Sequence, residues 1–236
     1  MAYAPLRTAN FSPLLVTLGI TGLLAGCGHA EQTKPGHRTT PADTPKTTPA
    51  VTYDLSRVDG IRGDFPPGFA VQANPAREMS QPDIDYPWVA ALTQAHIAPP
   101  DCRSVVVPLT ADPPAGTQAA DVKGSGSQGN IHVAAVRSPK AVPVGQLPTG
   151  CDMEILVSGA PDVAGSVDHV RAPHIDGVPT SALKFNPEER NPEYIFTATL
   201  DEQTSVIVMG STDKALDPEQ LMSDLLTKAT AAVRGG

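Results

Sequence analysis

The chain has 236 residues, of which 40% are hydrophobic and 18% charged, with a formal net charge of −8. That apolar content is enough for one folded core, whereas 25 prolines and 20 glycines call for many turns. The acidic balance excludes nucleic acid as a partner, because phosphate recognition needs lysine and arginine to displace counterions, and it excludes adhesion to anionic lipid by charge alone.

The first element expected is an export signal. Arg7 precedes the apolar run Leu14 to Ile20 and Leu23-Leu24, and small residues follow at Ala25-Gly26. Cys27 sits directly after them, so Leu24-Ala25-Gly26-Cys27 has the form of a bacterial lipobox whose thiol takes a diacylglyceryl group. The segment from Phe11 to Ala25 is broken by Ser12, Pro13 and two glycines, and it is shorter than the ~20 apolar residues of a bilayer span. The expected boundaries are a signal over 1–26, a lipidated Cys27 with a tether over 27–51, and one folded domain over 52–236. Arg7 is the only charged residue of 1–26, so the remainder holds 16 basic and 25 acidic side chains.

The tether alternates Pro35, Pro41, Pro45 and Pro49 with threonines and has almost nothing apolar to bury. Such a segment cannot offset its ordering entropy and stays solvated; its reach is roughly 25–75 Å between the coil and polyproline limits. With Cys27 lipidated, Cys102 and Cys151 are left, and two thiols in an exported chain pair most simply as one disulfide. The alternative is two buried free thiols. Their wide separation gives no paired spacing for a metal.

Within the domain, Asp64-Phe65-Pro66-Pro67-Gly68-Phe69 reads as a rigid turn into a short strand over 69–73. Pro87 opens a predicted helix through Trp88, Val89, Leu92 and Ile97 that ends at Pro99-Pro100. Trp88, the one tryptophan, is assigned to core packing rather than to a ligand platform. Ser104 to Leu109 reads as extended. Thr117 to Lys123 and Ile131 to Arg137 flank a glycine–serine turn and predict a hairpin. Strands are expected at Ile155 to Val157 and at Ser166 to Ile175, and an Asp176-Gly177 turn joins the latter to a further strand from Val178 as a hairpin. A further pair, Tyr194 to Leu200 and Ser205 to Met209, flanks Asp201 to Thr204. In the last element, Asp217 as N-cap and Pro218 at N1 open a helix. Its apolar face is Leu221, Met222, Leu225, Leu226, Ala229 and Val233, and Gly235 stops it. The predicted class is α+β, with an antiparallel sheet of about five to seven strands, a helix near the start and the C-terminal amphipathic helix packed on the sheet.

The motifs that could carry chemistry are weak. Gly124 to Gly129 spells G-x-G-x-x-G, but a strand and not a helix follows, so no helix N-terminus meets a phosphate. His169 and His174 lie five apart on a predicted strand and so face opposite ways. Adjacent Asp168 and His169 likewise face apart, which makes a poor catalytic pairing with any serine. No catalytic residue, metal ligand or cofactor is assigned.

The lipobox, the tether, the 64–69 turn, Pro100-Asp101-Cys102, Pro113-Pro114-Ala115-Gly116, Gly150-Cys151-Asp152 and Ala172-Pro173-His174-Ile175-Asp176-Gly177 resemble an uncharacterised family of mycobacterial lipoproteins. That family in turn resembles the extracellular sensor domain of the PknH-type receptor kinase, which has two disulfides and a cleft over its sheet. This chain can form one bridge. The resemblance implies architecture more than activity, because its motifs are turns and cysteines.

The expected function is therefore a non-catalytic, sensor-like module anchored by lipid to the outer face of the cell membrane. It would bind a small amphiphile, a cell-wall fragment or an envelope protein. The alternatives are an envelope hydrolase built on His132 or His169, and a structural surface protein without ligand.

Overall fold

The computed structural model describes residues 52–79, 87–142, 148–160, 163–188 and 190–236. The expected signal, Cys27 and the tether lie outside the described residues. Residues 50–236 belong to one compact unit.

Its centre is a sheet of nine strands, every neighbouring pair antiparallel. The strands are β1 (Ala70–Glu78), β2 (His96–Ala98), β3 (Gln118–Gly126), β4 (Gly129–Arg137), β5 (Ile155–Ser158), β6 (Gly165–His169), β7 (Thr180–Pro187), β8 (Glu193–Thr199) and β9 (Thr204–Thr212). They run across the sheet in the order β1-β3-β4-β9-β8-β7-β6-β5-β2. The α+β class holds, but nine strands stand where five to seven were expected. Sequence reading missed β2, which is only three residues long, while β7 is the strand expected after the Asp176-Gly177 turn.

Along the central strands residues alternate between two buried faces. Val122, Ile131, Val133, Phe196, Val206 and Val208 point to one side. There they meet a 3₁₀ helix (Leu55–Asp64) and α3 (Pro218–Arg234), which contributes Met222, Leu225, Leu226, Ala229 and Val233. The predicted apolar face of the C-terminal helix is thus the docked face. Lys228 fastens it to the 3₁₀ helix through Asp64 at 2.7 Å. Asp217 does occupy the N-cap, yet in a left-handed conformation (φ 49°, ψ 75°) and with no side-chain capping bond. Side-chain capping needs an extended N-cap backbone, and Asp217 has that angle because it ends a preceding 3₁₀ turn over Lys214–Leu216. Gly235 closes the helix in the left-handed region, bonding back to the carbonyls of Ala231 and Ala232.

Ala119, Ala134, Val136, Ile195, Ile207 and Met209 point to the other side. They are covered by α1 (Pro87–Leu92), by the one-turn α2 (Arg103–Val106) and by the loops that carry the two cysteines. Here the predicted elements needed correction. The helix from Pro87 stops at Leu92, and Ile97 lies in β2, where it pairs with Val157. Ser104 to Val106 is helical rather than extended. The Ser166 to Ile175 strand ends at His169, and the Asp-Gly turn stands on an isolated bridge between Ile175 and Val178. In each case a short apolar run of ambiguous period was decided by what it packs against.

Gly210 has no substitute, and Gly129 and Gly165 are held to glycine in the same way. Gly210, inside β9, has φ +146°, and a Cβ there would stand 2.1 Å from the Asn130 carbonyl oxygen.

Candidate functional site

The Gly124 to Gly129 stretch is a hairpin connection: β3 and β4 pair as far as Gly126 opposite Gly129, across Ser127-Gln128. No helix follows it, so its letters have no phosphate-binding role.

Trp88 is 4% exposed and packs on Phe185 with ring centroids 5.4 Å apart, which places it in the core. The histidines are spread out. His96 is exposed on the edge strand β2. The ring of His169 is bonded to the Cys151 carbonyl, while its neighbour Asp168 accepts a hydrogen bond from Asn186 at 2.7 Å. His174 is exposed and pairs with Asp176 at 3.1 Å. Asp168 and His169 therefore have separate partners, and no group of three metal-ligating side chains gathers among the described residues.

His132 is different. It is 7% exposed, and its Nε2 lies 3.3 Å from Oδ2 of Asp121 on the adjoining strand. Asn74 donates to the same oxygen at 2.9 Å, and Arg77 donates to Oδ1 at 2.8 Å. Asn74 and Arg77 flank a register shift in β1, where one extra residue bulges out at Pro75-Ala76. Burial alone would raise the Asp121 carboxyl, but hydrogen bonds from His132, Arg77 and Asn74 outweigh it and hold the group far below the usual carboxylate range. This network fastens the edge strand to the sheet. The residues that face His132 across the ladder are Lys123 and Met209, so no hydroxyl stands opposite it.

Cys102 and Cys151 are joined in a disulfide, both fully buried, with Cα atoms 5.4 Å apart. The bridge ties the start of α2 to the loop before β5. Beside it opens a cleft of about 450 Å³ on the same face of the sheet. One wall is the segment just after Cys102, contributing Val105, Val107 and Leu109; Val142 and Pro148 extend it. The floor crosses β7, β8 and β9, where Ile195 and Ile207 alternate with Thr197, Thr199 and Ser205. Apolar walls over a hydroxyl-bearing floor can accept a ligand with a hydrocarbon body and a few polar groups, and the volume falls within the roughly 300–1,000 Å³ of small-molecule sites.

Sequence reading assigned none of these cleft residues, nor Asp121. The floor threonines look like ordinary strand residues, and only the strand order brings them under the Cys102 segment.

No helix among the described residues is long and apolar enough to cross a membrane. No curated protein matches the sequence. Two matching solved structures are both mycobacterial. An uncharacterised protein of Mycobacterium smegmatis, the Rv0999 ortholog, is similar over 78% of this chain and 98% of its own, with 21% identity and a TM-score of 0.58. That likeness shows a shared fold. The extracellular domain of PknH from Mycobacterium tuberculosis matches over 74% of this chain and 90% of its own, with 9% identity and a TM-score of 0.39. A family model described as a domain of unknown function, DUF5642, matches residues 54–234. The match spans the whole folded unit from its first 3₁₀ helix to the end of α3, and the chain belongs to the DUF5642 family.

Proposed function

We propose that the protein is a lipid-anchored module on the outer side of the cell membrane that binds a small amphiphile and performs no chemistry on it. The observation that carries this reading is the cleft beside the disulfide. Its walls are apolar, its floor has hydroxyls, and the His169 that borders it is bonded to a backbone carbonyl instead of to an acid or a nucleophile. General acid–base work needs a titrating group within reach of both a partner and the substrate. The disulfide agrees with an oxidising compartment.

Filling the cleft tests the binding. Thr197 is half-buried on the floor, and Thr197→Trp puts an indole into that space. A fluorescent long-chain fatty acid should bind the wild type and lose at least about tenfold in affinity to the variant, ~1.4 kcal/mol or more. Equal binding to both proteins would remove the cleft as the site.

The anchor is tested separately. Two acyl chains hold stably at ~0.8 kcal/mol per buried CH₂, so Cys27→Ser will move the protein from the membrane fraction to the soluble one. Continued sedimentation with membranes would end the lipoprotein reading.

A further inference from the structure

The floor of the cleft beside the disulfide is ordered by cross-strand pairing into rows of graded polarity. Ile195 lies opposite Leu183 and Met209, in a row that ends at His169 on β6. The next row joins Ser181, Thr197 and Ile207, and the last joins Thr199 to Ser205. Neighbouring strands are about 4.8 Å apart, and successive rows about 6.7 Å. Ser181, Thr197, Thr199 and Ser205 therefore form a staggered line of four hydroxyls over β7, β8 and β9. Ile195 and Ile207 hold the diagonal beside it.

None of these four hydroxyls has a hydrogen-bond partner among the described residues. Elsewhere in the lining, by contrast, Thr180 spends its hydroxyl on the Pro173 carbonyl at 2.7 Å. A hydroxyl donates one hydrogen and accepts at two lone pairs, so the line offers a ligand both functions. Charge is missing: among the described residues no aspartate, glutamate, lysine or arginine lines the cleft. Arg171 sits between the lining residues Val170 and Ala172 but is itself turned out to solvent, and Arg103 is held by the Thr93 and Ala95 carbonyls. The ring of His169 is bonded to the Cys151 carbonyl, and it stands in the Ile195 row, two strands away. A charged head seated on this floor would shed water and meet no counter-charge, which is costly. The excess of 25 acidic over 17 basic residues raises that cost further for an anion. An uncharged, hydroxylated head finds both a donor and an acceptor at each position.

We infer, resting on the reading of this cleft as an amphiphile site, that it selects an uncharged amphiphile whose head carries hydroxyl groups. The hydrocarbon lies on Ile195 and Ile207 under the wall of Val105, Val107 and Leu109, and the head lies on Ser181, Thr197, Thr199 and Ser205. An ionised fatty acid still enters by its chain. Its carboxylate stays in water at the mouth and gains nothing from the hydroxyl line.

Competition against the fluorescent fatty acid tests the head. The full chain is held in phosphatidylcholine nanodiscs, with empty discs as the blank, at pH 8, where a carboxylic acid is ionised. Three competitors share one decanoyl chain: the glycerol monoester, the methyl ester and free decanoate. Each is compared between the wild type and Thr197→Val combined with Ser205→Ala, so that partition into the disc cancels. The glycerol monoester should lose about tenfold in affinity, the effect of roughly two hydrogen bonds, and about threefold in either single variant. The methyl ester should lose at most about threefold, and decanoate and the fluorescent probe less than about twofold. Retention of the probe shows that the variant is folded; if the double variant loses it, the single variants are read in the same way. An undiminished glycerol monoester, or a loss for the methyl ester or decanoate that matches it, overturns the selection of a hydroxylated head and leaves the amphiphile site standing. A probe that fails to bind the wild type removes the amphiphile site itself, and the head selection with it.

Discussion

Asp121→Ala will lower the stability of the domain by about 3–5 kcal/mol, the range for removing one partner of a buried ionic cluster. The side chain is 4% exposed and is met by donors from two other strands, Asn74 and Arg77 on β1 and His132 on β4. Without the carboxylate, these donors face each other and an emptied space. The Arg77 side chain is 36% exposed and can turn partly to water, which favours the lower end of that range. Asp121→Asn keeps the shape and loses the charge, and about 1.5–3 kcal/mol is expected from weakening hydrogen bonds made to a charged group. Urea unfolding monitored by circular dichroism measures both.

The pH dependence follows from the direction of the shift. The folded carboxyl titrates far below its unfolded value, so its contribution is complete above the ordinary aspartate range near pH 4. It is lost progressively as pH falls from there through the depressed folded value. The stability gap between wild type and Asp121→Asn will accordingly be constant from pH 6 to pH 8 and close on acidification. A gap that stayed constant to pH 2 would mean that the carboxylate charge is not what holds β1 in place.

The second large effect concerns the disulfide. Its two cysteines are 49 residues apart in sequence, and closing such a loop is worth roughly 4 kcal/mol on the chain-entropy model. Cys102→Ala combined with Cys151→Ala should cost about 2–5 kcal/mol, and the melting temperature should fall by roughly 5–15 °C. The consequence reaches the cleft as well. The wall residues Val105, Val107 and Leu109 follow Cys102 directly, Pro148 precedes Cys151 closely, and the Cys151 carbonyl holds His169 at the cleft border. Fatty-acid affinity in the double variant should therefore drop well before the domain melts. Loss of stability with full affinity would show that packing alone shapes the cleft wall.

How much of this was legible beforehand depends on the range over which each feature is decided. The hairpin over Thr117 to Arg137, the pair over Tyr194 to Met209 and the C-terminal helix were all readable, because period, turn chemistry and caps act within a few residues of one another. The disulfide followed from counting thiols. The failures have a common form. Ile97 was placed in a helix because Pro87 to Ile97 contains apolar residues at helical spacing; its pairing with Val157 ended that helix at Leu92. Ser104 to Val106 was read as extended because a short apolar run has no period of its own.

The sites lay further out of reach. Asp121 looks like any strand acid until β1 and β4 flank it. The chain by itself determined the antiparallel hairpins, the docked face of α3 and the single cross-link, since local hydrophobic period and cysteine number suffice for these. The order of nine strands, the buried carboxylate network and the cleft were decided only by tertiary structure. Asp121 meets Asn74 and Arg77 from 47 and 44 residues away in sequence, and no local pattern encodes which strand becomes whose neighbour.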